Sequence, residues 1–146
     1  MKKTLIFALV IVSLLAVSCK STPKTADEIT DEVFTAIYNK YERGLILDGA
    51  QKYTVKSGDS LVSIARAHYG NGFYYPVIML ASNSVIKDPY KLRQGMELTV
   101  PNLETNLKDS GAVRSIKGVM LDCADIDEIR GFGDTAKDLR VLANSL

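Results

Sequence analysis

One histidine, His68, and two cysteines, Cys19 and Cys123, hold nearly all the base and nucleophile chemistry this chain can offer. His68 as a general base needs a proton donor within hydrogen-bond reach. It falls near the end of a helical run, where a positive charge is mildly favourable in any case. Cys123 as a nucleophile needs an activating base. No histidine accompanies it in the C-terminal third, so at its spacing it reads as a small apolar residue in a helix stripe. Asp122, Asp125, Asp127 and Glu128 crowd four carboxylates into seven residues. Such a group can cleave glycosides or hold calcium, but the calcium-loop glycine is missing and the four run along a helix that mostly faces solvent. No metal-ligand spacing, cofactor fingerprint or Ser-Lys nucleophile pattern stands out. The remaining feature is Gly58-Asp59-Ser60, which ends a β-type run and opens an amphipathic helix. Such residues contact a ligand, or only make the turn and cap.

The elements that position these residues follow from periodicity. Thr25-x-x-Glu28 has capping-box spacing. Ile29, Val33, Ile37 and Tyr41 recur every four residues beside Phe34 and Tyr38, which predicts a helix of roughly four to five turns ended by Gly44. A connector, 45–50, leads to a strand at 53–56. Asp59 or Ser60 caps a helix with Leu61, Ile64, Ala65 and His68 on one face, closed by Gly70-Asn71-Gly72. A second helix spans 74–81, with Pro76 in its first turn. Residues 83–94 are a loop, Gly95 turns into a strand at 97–100, and Pro101 stops it. The order is β-α-α-β, so the predicted class is α+β: a two-stranded antiparallel sheet with two helices on one face. A polar linker at 102–109 follows. Val113, Ile116, Val119, Met120, Cys123, Ile126 and Ile129 then mark a helix, Gly131-Phe132-Gly133 a turn, and Asp134 the cap of a last helix carrying Ala136, Leu139, Leu142 and Ala143. This flanking helical hairpin can pack with the N-terminal helix as a three-helix unit beside the βααβ module.

The N-terminus is built for export. Lys2 and Lys3 precede a thirteen-residue apolar run, 5–17, broken only by Ser13. That is short of the roughly 20 residues a spanning helix needs and suits a cleavable signal. Leu15-Ala16-Val17-Ser18-Cys19 resembles a bacterial lipoprotein signal, with Ala16 where Leu is usual, a relaxed form met in spirochaetes. The resemblance implies a signal peptide over 1–18, lipid (palmitate among its chains) on Cys19, and a membrane anchor facing the periplasm. Residues 19–50 then form the tether and first helix. Losing 1–18 removes two lysines and leaves 16 basic and 17 acidic residues in 128, so nothing points to nucleic acid. Cys123 would remain alone, without an internal disulfide.

Residues 51–101 resemble a LysM domain. The match runs through Gly58-Asp59-Ser60-Leu61-x-Ser63-Ile64-Ala65, Tyr69-Gly70, Asn83, Asp88-Pro89 and Leu92-x-x-Gly95-x-x-Leu98-x-Val100-Pro101. Val62 stands where the family often has Trp. The resemblance implies binding of peptidoglycan or other N-acetylglucosamine oligomers, in a shallow groove between residues 58–62 and 83–94. An N-acetyl group offers one acceptor, one donor and one methyl. Backbone groups in tight loops meet the first two, and Leu61 and Ile86 are candidates for the third. The candidate glycan-binding residues are Gly58, Asp59, Ser60, Leu61, Val62, Asn83, Ile86, Lys87, Asp88, Pro89 and Tyr90. Of these, Asp59, Ser60, Asn83 and Asp88 bond the ligand or shape the loops, and Tyr90 stacks on a sugar or fills a local gap. Lys52, Lys56, Arg66, Lys87, Lys91 and Arg93 outnumber Asp59, Asp88 and Glu97. That excess attracts the carboxylates of wall peptides, or merely balances neighbouring acidic helices.

The function these readings imply is a non-catalytic envelope lipoprotein that binds peptidoglycan, with no cofactor and no metal. The alternative is an accessory subunit of a cell-wall hydrolase or envelope complex, with residues 111–146 as the surface for an envelope protein.

Overall fold

A computed structural model describes residues 25–146. The signal segment, Cys19 and the start of the tether lie outside the described residues. Among those described, no helix is long and apolar enough to cross a membrane.

The first helix is shorter than its periodicity predicts. The Thr25 side chain makes no capping bond; it precedes a single 3-10 turn, Ala26–Glu28, and the chain then extends at Ile29. Ile29 is buried in that extended form. Helix α1 begins only at Asp31 and runs to Tyr41, burying Phe34, Ile37 and Tyr38. Without a cap at Thr25, burial of Ile29 decides the local conformation rather than continued helical spacing.

Strand β1, Gln51–Thr54, pairs antiparallel with β2, Glu97–Val100, in the register Gln51↔Val100 and Thr54↔Glu97. Two bonds carry the pairing past the strand ends: Val55 N–H to Met96 O at 2.9 Å and Gly95 N–H to Val55 O at 2.8 Å. Between the strands lie α2, Leu61–Tyr69, and α3, Tyr75–Ala81, the latter entered through a 3-10 turn, Gly72–Tyr74. Gly70 ends α2 at φ +77°, a left-handed conformation natural to glycine. The βααβ order is as the sequence predicts.

Helix α3 is buried at every position from Tyr75 to Leu80. A helix that is apolar all round must be covered on all sides. The βααβ module supplies α2 and β2; the other cover is α5, Ser110–Ile129. α5 forms an antiparallel hairpin with α6, Gly133–Ser145, and also touches α1. Ile116, Val119, Met120, Cys123 and Ile126 of α5 join Ala136, Leu139 and Ala143 of α6 in one apolar cluster with Val77, Ile78, Met79 and Leu98. The helices therefore do not form a separate three-helix unit; they complete the core of the module.

The predicted polar linker is a short helix, α4, Leu103–Lys108. Asn102 caps it, its side-chain oxygen accepting from Thr105 N–H at 3.0 Å, and Asp109 caps α5 through Ala112 N–H at 2.8 Å. Asn106 is fully buried. Its oxygen accepts from Ile46 N–H at 2.8 Å, and its nitrogen donates to Ile46 O and Asn102 O, both at 2.9 Å. One amide thus fastens the connector after α1 to α4. At α6 the helix starts a residue before the predicted cap: Phe132 occupies the N-cap position without a side-chain bond, and Asp134 sits in the first turn, where its charge faces the positive helix end.

Replacing Asn106 by Ala strands the Ile46 amide. A loss of about 2 kcal/mol is expected, read as a lower urea midpoint with an unchanged slope.

Candidate functional site

The two loops at the Thr54–Glu97 end of the sheet are built differently. In the first, Gly58 takes φ +85°. Asp59 Oδ2 accepts from Lys56 N–H at 2.8 Å and from the Tyr53 hydroxyl at 2.7 Å, while Asp59 N–H donates to Lys56 O at 3.2 Å. The Lys56 amide, then the Tyr53 hydroxyl, hold the Asp59 carboxyl below the usual carboxylate range. Ser60 Oγ accepts from Ser63 N–H at 3.1 Å, and Ser63 Oγ accepts from Ser60 N–H at 2.9 Å, a reciprocal cap on α2. Leu61 is buried. Val62 is half-buried and packs on Gly72, where an added Cβ would lie 2.7 Å from Val62 Cγ1.

The second loop is pinned at its start by Ser82, whose hydroxyl accepts from Thr99 N–H at 2.9 Å and donates to Thr99 O at 3.2 Å. Ile86 follows and is 1% exposed, so it belongs to the core; its neighbour Val85 is 38% exposed. Asp88 closes a turn: Oδ1 accepts from Tyr90 N–H at 2.9 Å, its carbonyl accepts from Lys91 N–H at 3.0 Å, and Pro89 supplies the fixed φ between them. Lys91 Nζ lies 3.0 Å and Arg130 Nη2 3.9 Å from Asp88 Oδ2.

A cleft of about 390 Å³ opens along this loop, lined by Asp31, Val85, Lys87, Asp88, Lys91, Leu92, Arg93 and Met96. Of the candidate glycan-binding residues, Lys87 and Asp88 line it, joined by Lys91 and Arg93 of the basic set. Asn83, Ile86, Pro89, Tyr90 and residues 58–62 are not part of its lining, and the two methyl-contact candidates, Leu61 and Ile86, both point into the core. The apolar surface that does face the cleft is Val85, Leu92 and Met96. In this loop the exposed apolar residue is Val85, one position before the buried Ile86. The period-two burial of Leu98 and Val100, carried back to half-buried Met96, was the usable signal for that residue. Asp31 comes from α1, outside the module, and nothing local in the sequence points to it.

The chemistry-bearing residues scatter. His68 is exposed rather than on the apolar face of α2, with its ring edge-on to Tyr53 at 5.4 Å. It lines a second cleft, of about 570 Å³, at the opposite end of the sheet with Gln51, Tyr69, Val100 and Leu103. Cys123 is buried beside Met79, and burial pushes its thiol up. Asp122 pairs with Lys40, and Asp125 and Glu128 share Arg140, as expected of a solvated helix face. Asp127 departs from that expectation: it is 2% exposed and accepts from the hydroxyls of Tyr75, at 3.2 Å, and Tyr90.

Residues 53–101 match the family model for the LysM domain. Over 52 residues the chain is 42% identical to the potassium binding protein Kbp of Escherichia coli. That stretch is 36% of this chain and 35% of Kbp, so the chain spans about a third of that relative's length. No solved structure matches significantly. Residues 53–101 are thus a LysM domain, a module of the kind that binds peptidoglycan and related N-acetylglucosamine glycans.

Asp59 gives a pH-dependent prediction. Its folded pKa lies below its unfolded one, so its contribution is present at neutral pH and is lost as pH falls through the folded value. In thermal melts, Asp59→Ala is expected to melt below wild type at pH 7, with the gap closing below about pH 3.9, the ordinary aspartate value.

Proposed function

We propose that this chain is a cell-envelope lipoprotein, anchored through lipid on Cys19, that holds peptidoglycan with its LysM domain and performs no chemistry of its own. The observation that carries the reading is the cleft on the second loop. Val85, Leu92 and Met96 offer partly exposed apolar surface for an acetyl methyl, bordered by loop backbone for the amide and by Lys87, Lys91 and Arg93 for acidic groups borne by the wall. A shallow cleft of this kind binds weakly. Tethering to a membrane next to the wall offsets that weakness by raising the effective concentration of the module.

The non-catalytic part of the reading rests on the same side chains that could have done chemistry. The Cys123 thiol is buried and shifted away from thiolate, the opposite of what a nucleophile needs. The carboxylates of α5 are engaged with Lys40, Arg140 and two tyrosines. A partner protein on residues 111–146 would meet mostly the polar faces of α5 and α6, since their apolar stripes fill the chain's own core.

The test is co-sedimentation of residues 20–146 with purified insoluble peptidoglycan, beside a Val85→Ser, Met96→Ser variant matched for circular dichroism. Each side chain would bury part of its apolar surface against the ligand, for roughly 1 kcal/mol, so the pair should weaken binding about tenfold or more. Equal pelleting by both proteins would place the ligand elsewhere, and no pelleting by wild type would reject the wall-binding reading.

A further inference from the structure

Residues 87–92 form one wall of the cleft, and their own turn bonds do not fasten them to the rest of the LysM domain. Among the described residues, every hydrogen bond and ion pair that ties residues 87–92 to the chain beyond the loop goes to Asp127 or Arg130. Both lie outside the LysM domain, Asp127 near the end of α5 and Arg130 at its C-cap. The Arg130 guanidinium sits 4.0 Å from the centre of the Tyr90 ring and 5.7 Å from that of Phe34, with Asp88 Oδ2 at 3.9 Å. Phe132 stacks on Tyr90, ring centres 6.3 Å apart at an interplanar angle of 17°. Asp127 does more than receive the Tyr90 hydroxyl. Its other oxygen takes Tyr75, which belongs to α3, so one carboxylate joins a helix of the LysM domain to that domain's own loop.

We propose that Asp127 and Arg130 are positioning residues of the glycan cleft, holding the Asp88-Pro89-Tyr90 turn in the shape that the ligand meets. The proposal rests on the glycan reading of the cleft. Arg130 suits the task. A planar guanidinium stacks on an aromatic face while offering its edge to a carboxylate, which an ammonium cannot do. With the turn fixed beforehand, binding does not have to order it, and affinity rises without any new contact to the ligand. The helical hairpin then belongs to the binding site although it never touches the sugar.

The experiment compares Arg130→Gln with Asn106→Ala, which loosens the fold on the far side of the molecule from the loop. Both are measured for melting temperature, for hydrogen exchange in residues 87–92, and for binding to insoluble peptidoglycan and to soluble N-acetylglucosamine oligomers at a temperature where each is fully folded. Arg130→Gln should speed exchange in 87–92 and weaken binding to both ligands at least fivefold, while Asn106→Ala binds as wild type. Arg130→Lys should fall between, keeping the charge and losing the stack. If Arg130→Gln does not fold, Asp127→Asn makes the same comparison, since it keeps the side-chain size and loses one acceptor. A folded Arg130→Gln that binds as wild type overturns the proposal, as does an equal loss of binding in Asn106→Ala. Wild-type protein that binds neither ligand removes the glycan reading and the proposal with it. Failure of the clamp alone looks different: glycan binds, and the variants change neither exchange nor affinity.

Discussion

A buried carboxylate organises this molecule. Asp127 is almost fully enclosed, and desolvation pushes its pKa up despite the hydroxyls of Tyr90 and Tyr75 and the nearby Arg130, which pull it down. The sign matters. A carboxyl whose folded pKa is raised favours the fold most when protonated, and that advantage is lost as pH climbs through the folded value. Asp127 therefore supports the fold less as pH rises, while its bonds to Tyr75 and Tyr90 join α3 to the loop. We read its role as fixing one arrangement of its neighbours rather than adding stability. Here the arrangement is the seating of a 14-residue segment, 83–96, that has no helix or strand of its own. The neighbours share these enclosed surroundings: Tyr90, Tyr75 and Cys123 are all shifted away from their ionised forms, chiefly by burial.

The same contact region explains why the LysM domain and the helices are one body. A two-stranded sheet is marginal by itself in water, and a module of about fifty residues buries a smaller share of its surface than a larger domain does. Helix α3 carries apolar side chains on every face, more than the sheet and α2 can cover. The surplus is met by α5, and α6 and α1 close over α5 in turn. Among the described residues no disulfide assists, Cys123 being free. The domain boundary at Pro101 is thus a boundary in sequence pattern and not in the core.

Much of the fold could be read locally, where the physics is local. Ser60-x-x-Ser63, the glycines at 58 and 70, and the three- and four-residue apolar steps of α2 and α5 each specify one conformation through neighbouring residues. The reading weakened where tertiary contacts decide. Ile29 carries on the period of α1 yet extends to reach the core. Residues 102–108 look like linker because their one buried residue, Asn106, is polar and is satisfied by Ile46, sixty residues earlier. The candidate site shows the same division. Sequence identified the loop, and Lys87 and Asp88 line its cleft, but the loop has no regular period to say whether Val85 or Ile86 faces outward. Asp127 sits among three solvated acids and is indistinguishable from them until Tyr75 and Tyr90 are seen converging on it.

These two constraints, a surplus of apolar surface on α3 and a loop whose middle is tied to the rest of the chain from outside its own domain, have a common solution in α5. Its central turns supply Val119, Met120 and Cys123 to the first, and its last turn supplies Asp127 and Arg130 to the second. The order along the helix is consequential. A change near the middle of α5 acts on the whole core and should unfold the chain cooperatively. A change at Asp127 or Arg130 acts first on the loop held there, although Ile126 of the same turn belongs to the core. Filling the core and supporting the loop therefore fall largely on successive turns of one helix, meeting at Ile126 and Asp127.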